Sequence, residues 1–312
     1  MRVAAFDCGT NSLRLLVADI DDHGAMTELR RETRIVRLGQ GVDATGEFAP
    51  EALERTFAVT REYAELAAEY SPERIRFVAT SASRDVRNRD EFFAGIFAIL
   101  GVVPDVITGD EEARLSFLGA TAGRSADEGP FLVMDLGGGS TELVLGTGDV
   151  EAAVSMDIGS VRLTERHMAS DQPDGEQIRA AVTDIDTHLD EAAEVVDLGA
   201  ARTFIGVAGT VTTLTAGILG LDSYQRERIH GARLTVSEVE RQADDLVRMD
   251  RDARAALPYM HPGRVDVIAA GGLIFARTVS RVDDAVRTRG GELAITVSET
   301  DILDGIALDL AS

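Results

Sequence analysis

Of the 312 residues, 45% are apolar, long for a single core and suited to two domains of roughly 150 residues each. The formal charge is −23, all 31 basic residues are arginine and lysine is absent. This excludes Schiff-base and Walker-type lysine chemistry and argues against nucleic acid as a partner, because nonspecific phosphate binding needs a basic face.

No apolar run reaches the roughly 18 residues of a membrane span, and the N-terminus meets an aspartate too early for a secretory signal. The lone Cys8 excludes a disulfide framework within the chain and is expected to be a small packed residue. A cytoplasmic protein is expected.

In chain order, apolar runs at Val3–Phe6 and Leu13–Ile20 predict two strands around a turn. Pro50 sits at a first helical position and opens the amphipathic stretch EALERTFAVTREYAELAAEY. Arg74–Thr80 reads as a strand, Asp90–Leu100 as a helix and Val102–Thr108 as another strand. Thr108 and Glu111 have the spacing of a capping box. The polar stretch GRSADEGP, Gly123–Pro130, suits a domain boundary.

Beyond it, strands are predicted at Phe131–Asp135, Glu142–Leu145 and Val154–Ile158, then a long helix over Gly175–Val196. A strand at Arg202–Ala208 and a helix at Gly209–Leu219 follow, with a further helix near Ser237–Met249. Arg264–Ala270 reads as a strand leading into a helix from Gly271, and a strand at Leu293–Val297 precedes a closing helix. Strands separated by helices predict two α/β domains with mixed sheets.

One turn is written twice. AFDCGTNSLRLLVA at Ala5–Ala18 and VMDLGGGSTELVLG at Val133–Gly146 align Asp7 with Asp135, Gly9 with Gly137, Ser12 with Ser140 and Leu15 with Leu143. Each reads as an apolar strand, D-x-G-x-x-S and a second apolar strand. Glycine lets an anion approach the backbone, and successive amides with hydroxyls make a nest for phosphate oxygens. The donors in view are Thr10, Asn11 and Ser12 in one copy, and Gly137, Gly138, Gly139, Ser140 and Thr141 in the other. An aspartate at the strand end repels phosphate unless a divalent cation lies between them, which makes Asp7 and Asp135 candidate metal ligands. A plain hairpin uses the same D-G letters, yet three successive glycines cost entropy that such a turn need not spend.

The chain resembles the sugar kinase, heat-shock chaperone and actin superfamily, and within it the exopolyphosphatase and guanosine pentaphosphate phosphohydrolase (Ppx/GppA) family. The likeness rests on DCGTNSLRL at 7–15, VATSASRDVRN at 78–88, TGDEEARLSFLG at 108–119 and MDLGGGSTEL at 134–143, with SMDIGSVRLTE at 155–165 and GVAGTVTTL at 206–214. It implies two ribonuclease H-like, actin-like ATPase domains with mixed sheets facing each other across an active-site cleft. The division expected is 1–125 and 126–298, with the terminal helix 299–312 packing back on the first domain and no C-terminal HD-type domain. A homodimer is implied by the resemblance alone.

The resemblance also assigns roles. Asp110, Glu111 and Glu112 sit at a predicted helix start, where acids complement the dipole and cap free amides. In similar proteins the glutamate before Ala-Arg activates water, which falls on Glu112 and leaves Glu111 as the capping residue. Arg84 in TSASRD has the planar fork that suits a phosphate, with an ion pair to neighbouring acids as the alternative. Arg162 is a weaker candidate of that kind. Glu142, alternating with Ser140 along its strand, is placed by the family near the metal or the attacking water.

Gly209 and Thr210 open a helix whose amides suit another phosphate, although tight strand-to-helix turns use the same letters. The five histidines, His230 included, show no metal-ligand spacing.

The implied activity is Mg²⁺- or Mn²⁺-dependent hydrolysis of the terminal phosphoanhydride of inorganic polyphosphate. The alternatives are the 5′-phosphate of guanosine pentaphosphate (pppGpp) and, on the same fold, a small-molecule kinase or a nucleotide-switched assembly protein. The closing SETDILDGIAL departs from the family's commoner serine-glycine-arginine-glutamate wording.

Overall fold

The computed structural model describes residues 1–84 and 86–312. The chain divides into two compact units, Met1–Gly119 with Asp301–Ser312, and Ala120–Thr300.

In the first unit β1 (Arg2–Cys8) pairs antiparallel with β2 (Ser12–Ile20), which pairs with β3 (Met26–Ile35). On its other side β1 runs parallel to β4 (Arg74–Ala79), and β4 to the short β5 (Asp105–Val106). The strand order is β3-β2-β1-β4-β5. Successive side chains of β1 point to opposite faces, and both faces are covered, which explains the continuous apolar letters. Ala4, Phe6 and Cys8 share a core with Phe77 and Phe92, under the Pro50–Glu69 and Arg89–Leu100 helices. Val3 and Ala5 share the other core with Ile302, Leu303, Ile306 and Ala307 of the terminal helix Ile302–Ala311.

The second unit repeats the plan. β6 (Phe131–Leu136) pairs antiparallel with β7 (Thr141–Gly146), β7 with β8 (Val150–Met156), and β6 runs parallel to β9 (Thr203–Val207). β9 is parallel to β11 (Ala294–Val297), and β10 (Arg233–Leu234) closes that edge. Apart from that added strand, the order matches the first sheet element by element. The Gly175–Val195 and Val236–Arg248 helices open on full capping boxes from Asp174 and Thr235. Among the described residues no helix is long and apolar enough to cross a membrane.

Several expectations are corrected. Arg264–Ala270 is not a strand: a 3₁₀ turn at Pro262–Arg264 leads into the long helix Ile268–Thr288, so Gly271 and Gly272 lie inside a helix. That helix buries Ile268–Ala276 without a break, so its start shows no amphipathic period and mimics a buried strand. The strand expected over Val102–Thr108 shrinks to Asp105–Val106. β3, unassigned from the sequence, is an edge strand whose letters TELRRETRI carry charge in place of apolar alternation. The Ser160–His167 helix was also unforeseen.

Candidate active site

The duplicated turn is a matched pair of hairpins. Gly9 N donates to Ser12 O at 3.0 Å, and Gly137 N donates to Ser140 O at the same distance. In both, the aspartate is the last residue but one, or the last but one pair, of the ladder before the turn: Asp7 faces Arg14, and Asp135 faces Glu142. The two copies therefore share a register as well as a spelling.

The first turn is braced from β3's end. Val36 N and Arg37 N both donate to Asn11 O, at 3.0 and 2.9 Å, and Gly39 N donates to Thr10 O at 2.8 Å. Thr10 is buried, and its hydroxyl has no hydrogen-bond partner. Such an orphan is costly unless a ligand or water completes it. Asp7 is buried too, and desolvation pushes its carboxyl above the usual range against the pull of Arg14. Arg14 Nε and Nη2 reach Asp7 Oδ2 at 2.7 and 2.6 Å.

The second turn rests on Gly159. Ser160 N donates to Gly137 O at 3.0 Å, and Val161 N and Arg162 N donate to Gly138 O at 2.8 and 3.1 Å. A Cβ on Gly159 would stand 2.5 Å from the Gly138 carbonyl carbon, so only glycine fits there. Thr141 is fully buried and gives its hydroxyl proton to Ile158 O at 2.7 Å, bracing the turn from inside. Ser140 is buried as well. Asp135 and Glu142 are 6% and 1% exposed, and Glu142 Oε1 accepts from Ser155 Oγ at 2.7 Å. Arg162, the weaker arginine candidate, pairs with Asp157 at 2.7 Å.

β4 delivers the remaining first-unit residues. Its end lies against the first turn, since Thr80 N donates to Cys8 O at 3.2 Å. A 3₁₀ turn, Ser81–Ser83, then presents Arg84. Arg84 Nε donates to Ile107 O at 3.2 Å, and Nη2 donates to Glu112 Oε2. Arg84 and Glu112, picked from separate motifs, are thus brought into one ion pair, with Glu112 only 7% exposed. Its neighbour Glu111 has another fate. Thr108 Oγ1 accepts from Glu111 N at 3.2 Å, but the Glu111 carboxylate turns outward to Arg114 at 2.8 Å instead of completing a capping box. The hydrogen bond from Arg114 holds the Glu111 carboxyl below its usual range.

Gly209 and Thr210 do stand at the start of the Ala208–Ile218 helix. The space over Gly209, however, is taken by Arg264, whose Nη2 would lie 2.0 Å from a Cβ there and whose Nη1 donates to Thr213 Oγ1 at 3.0 Å. Arg264 escaped notice because its segment read as a strand. Thr210 is buried against Gly271.

In the second unit Asp135 and Glu142 face each other as two buried carboxylates across the β6–β7 ladder, oxygen donors that suit a hard cation such as Mg²⁺. Among the described residues no three His, Cys, Asp or Glu side chains are gathered as a metal cluster.

Two sheets of one strand order, each opening on an aspartate and a glycine hairpin, define a duplicated α/β protein of the actin-like fold. The sequence matches the Ppx/GppA phosphatase family over residues 16–307, and the chain belongs to that family. It is 49% identical over 318 residues to exopolyphosphatase 2 of Mycobacterium tuberculosis, covering 99% of this chain and 98% of that one. The crystal structure of an exopolyphosphatase-like protein matches with a TM-score of 0.96 and 48% identity, over 99% of this chain and 97% of the other. The Aquifex aeolicus member of the Ppx/GppA family matches with a TM-score of 0.80 and 31% identity, over 100% and 97%.

Proposed function

We propose that the protein is an exopolyphosphatase, releasing orthophosphate from the end of an inorganic polyphosphate chain. The observation that carries this reading is the ion pair of the buried Glu112 with Arg84, which is presented by the 3₁₀ turn after β4, the strand whose end adjoins the Gly9–Ser12 turn. A buried carboxylate beside a guanidinium fork supplies a base for water and a grip for phosphate within one unit.

In this reading the amides of Thr10, Asn11 and Ser12, those of Gly138–Ser140, and Arg84 take the terminal phosphate oxygens. Asp7, Asp135 and Glu142 hold Mg²⁺ or Mn²⁺, directly or through water, and the ion when bound neutralises charge on the transferring phosphoryl group. Glu112 orients the attacking water and accepts its proton as the new O–P bond forms. The bond from the terminal phosphorus to its bridging oxygen breaks, and the chain leaves one phosphate shorter. Thr141 serves as a brace, and an anion at Gly209 and Thr210 would meet the Arg264 guanidinium. The same reading takes the protein as a homodimer of the cytoplasm, on the family resemblance alone.

Glu112→Gln should lower phosphate release by about 10²–10⁴-fold, the usual worth of a general base, while tripolyphosphate binding by calorimetry stays within a few-fold. Unchanged release would remove Glu112 from the role. Parallel release assays on polyphosphate and guanosine pentaphosphate test the substrate: faster turnover of the nucleotide would replace polyphosphate, and phosphoryl transfer to a small acceptor would replace hydrolysis.

A further inference from the structure

A chain of buried charges in the first unit is used by none of the roles above. Arg14 binds Asp7 through Nε and Nη2, while its Nη1 turns the other way and donates to Asp301 Oδ2. Asp301 lies 287 residues further along the sequence, at the cap of the terminal helix. Its second oxygen accepts from Leu303 N at 3.0 Å, which fixes the carboxylate to the helix. Asp304, fully buried, accepts from Asp301 N at 3.0 Å and is paired in turn with Arg31 of β3. The carboxylate that grips Arg14 is therefore fixed through its other oxygen, and its residue through its backbone amide.

The same helix end touches the helix that carries Glu112. A Cβ on Gly305 would lie 1.9 Å from Leu115 O, and one on Gly119 would lie 1.8 Å from Asp301 O. Backbone meets backbone there.

We propose that Asp301 is a positioning residue of the hydrolase, holding Arg14 so that the Asp7 carboxylate keeps its direction at the head of the Gly9–Ser12 turn. The proposal deepens the reading of Asp7 as a ligand of the catalytic cation and rests on it. A guanidinium clasped by a carboxylate at each edge is fixed in place and shares its charge between them. Without Asp301, Arg14 loses one of the two carboxylates that clasp it, neutralises Asp7 more fully and swings with it, so Asp7 serves a cation less well.

Asp301→Asn is the informative change, because asparagine caps a helix about as well as aspartate, while the charge goes and its NH₂, a donor, replaces the oxygen that accepts from Arg14 Nη1. Expected are direct Mn²⁺ binding, followed by electron paramagnetic resonance, weakened about tenfold, and kcat/KM for polyphosphate lowered about tenfold, the usual cost of losing a partner behind a metal ligand. The melting temperature should fall as well, because one partner of a buried ion pair is lost. Asp309→Asn is the companion variant: it removes the same helix's ion pairs to Arg76 and Arg114 without touching Arg14. It should melt lower yet bind Mn²⁺ and turn over like the parent.

An Asp301→Asn protein equal to an active parent in Mn²⁺ binding and kinetics overturns the proposal alone. Activity that falls in step with melting temperature in both variants also overturns it, because the role is then only structural. A parent that neither binds Mn²⁺ nor releases phosphate overturns the functional reading and this inference with it.

Discussion

Gly305→Ala tests the packing beneath the site. In an ordinary helix interior this change gains about 1 kcal/mol of helix propensity. Here the new Cβ would stand 1.9 Å from Leu115 O and 2.7 Å from its carbonyl carbon, both backbone atoms that cannot rotate away. Carbon contacts relax near 3.5 Å, so the terminal helix must withdraw by roughly 1.5 Å. Withdrawal loosens Ile302, Leu303 and Ile306 from the sheet. At about 2 kcal/mol per buried side chain the three contribute about 6 kcal/mol, and a gap of that order forfeits at least a quarter of it, about 1.5 kcal/mol. Residual strain adds about 1–3 kcal/mol. After the propensity gain, a net loss of about 1.5–3.5 kcal/mol remains, or roughly 5–10 °C in melting temperature. Differential scanning calorimetry reads it directly. Gly119→Ala, which meets Asp301 O at 1.8 Å, should cost about as much, and the double variant less than the sum, since one withdrawal relieves both. A Gly305→Ala protein that melts at or above the parent refutes the close crossing.

Gly159→Ala should strike catalysis more than folding, because its Cβ would press on Gly138 and Gly139 backbone atoms at 2.5 and 2.6 Å and displace the turn. A shift of about 1 Å at a reacting group costs on the order of 10²-fold, so kcat/KM should fall by about that factor; parent-like kinetics would free this turn of any role. Thr235→Ala should cost about 1 kcal/mol in urea unfolding near pH 7, through the lost cap of the Val236–Arg248 helix. The Thr235 hydrogen bonds depress the Glu238 pKa, so their contribution is present above about pH 4.3 and fades as acid protonates Glu238. The gap between parent and variant should narrow toward pH 3, and a gap that widens is the contrary result.

The fold was legible wherever burial imposed a period. β1 and β6 are covered on both faces and spelled in apolar letters up to their aspartates, and Pro50 marked its helix. Legibility failed where burial was complete or absent. The first residues of the Ile268–Thr288 helix are enclosed on all sides, so their apolar run carries no helical signature. β3 sits at an edge, pairs on one side only and spends its letters on arginine and glutamate, with Arg31 reaching Asp304.

At the site, the same contrast separates what motifs reveal from what only folding reveals. Arg84 and Glu112 were singled out by the family likeness of the short strings that hold them, and the 3₁₀ turn after β4 brings the two together as an ion pair. Arg14 was present in the duplicated turn as the counterpart of Glu142, one facing Asp7 and the other facing Asp135. That substitution of charge divides the labour between the copies. A cation opposite the first aspartate ties it to the protein, through Arg14 to Asp301 at the far end of the chain. An anion opposite the second sets two buried carboxylates across one ladder, the arrangement that attracts a hard cation. No local spacing announces the Asp301 contact, since the sequence separation is 287 residues and the link exists only once the terminal helix docks. Duplication accordingly shows where the two matched turns are, while the difference between the copies shows how differently each aspartate is partnered.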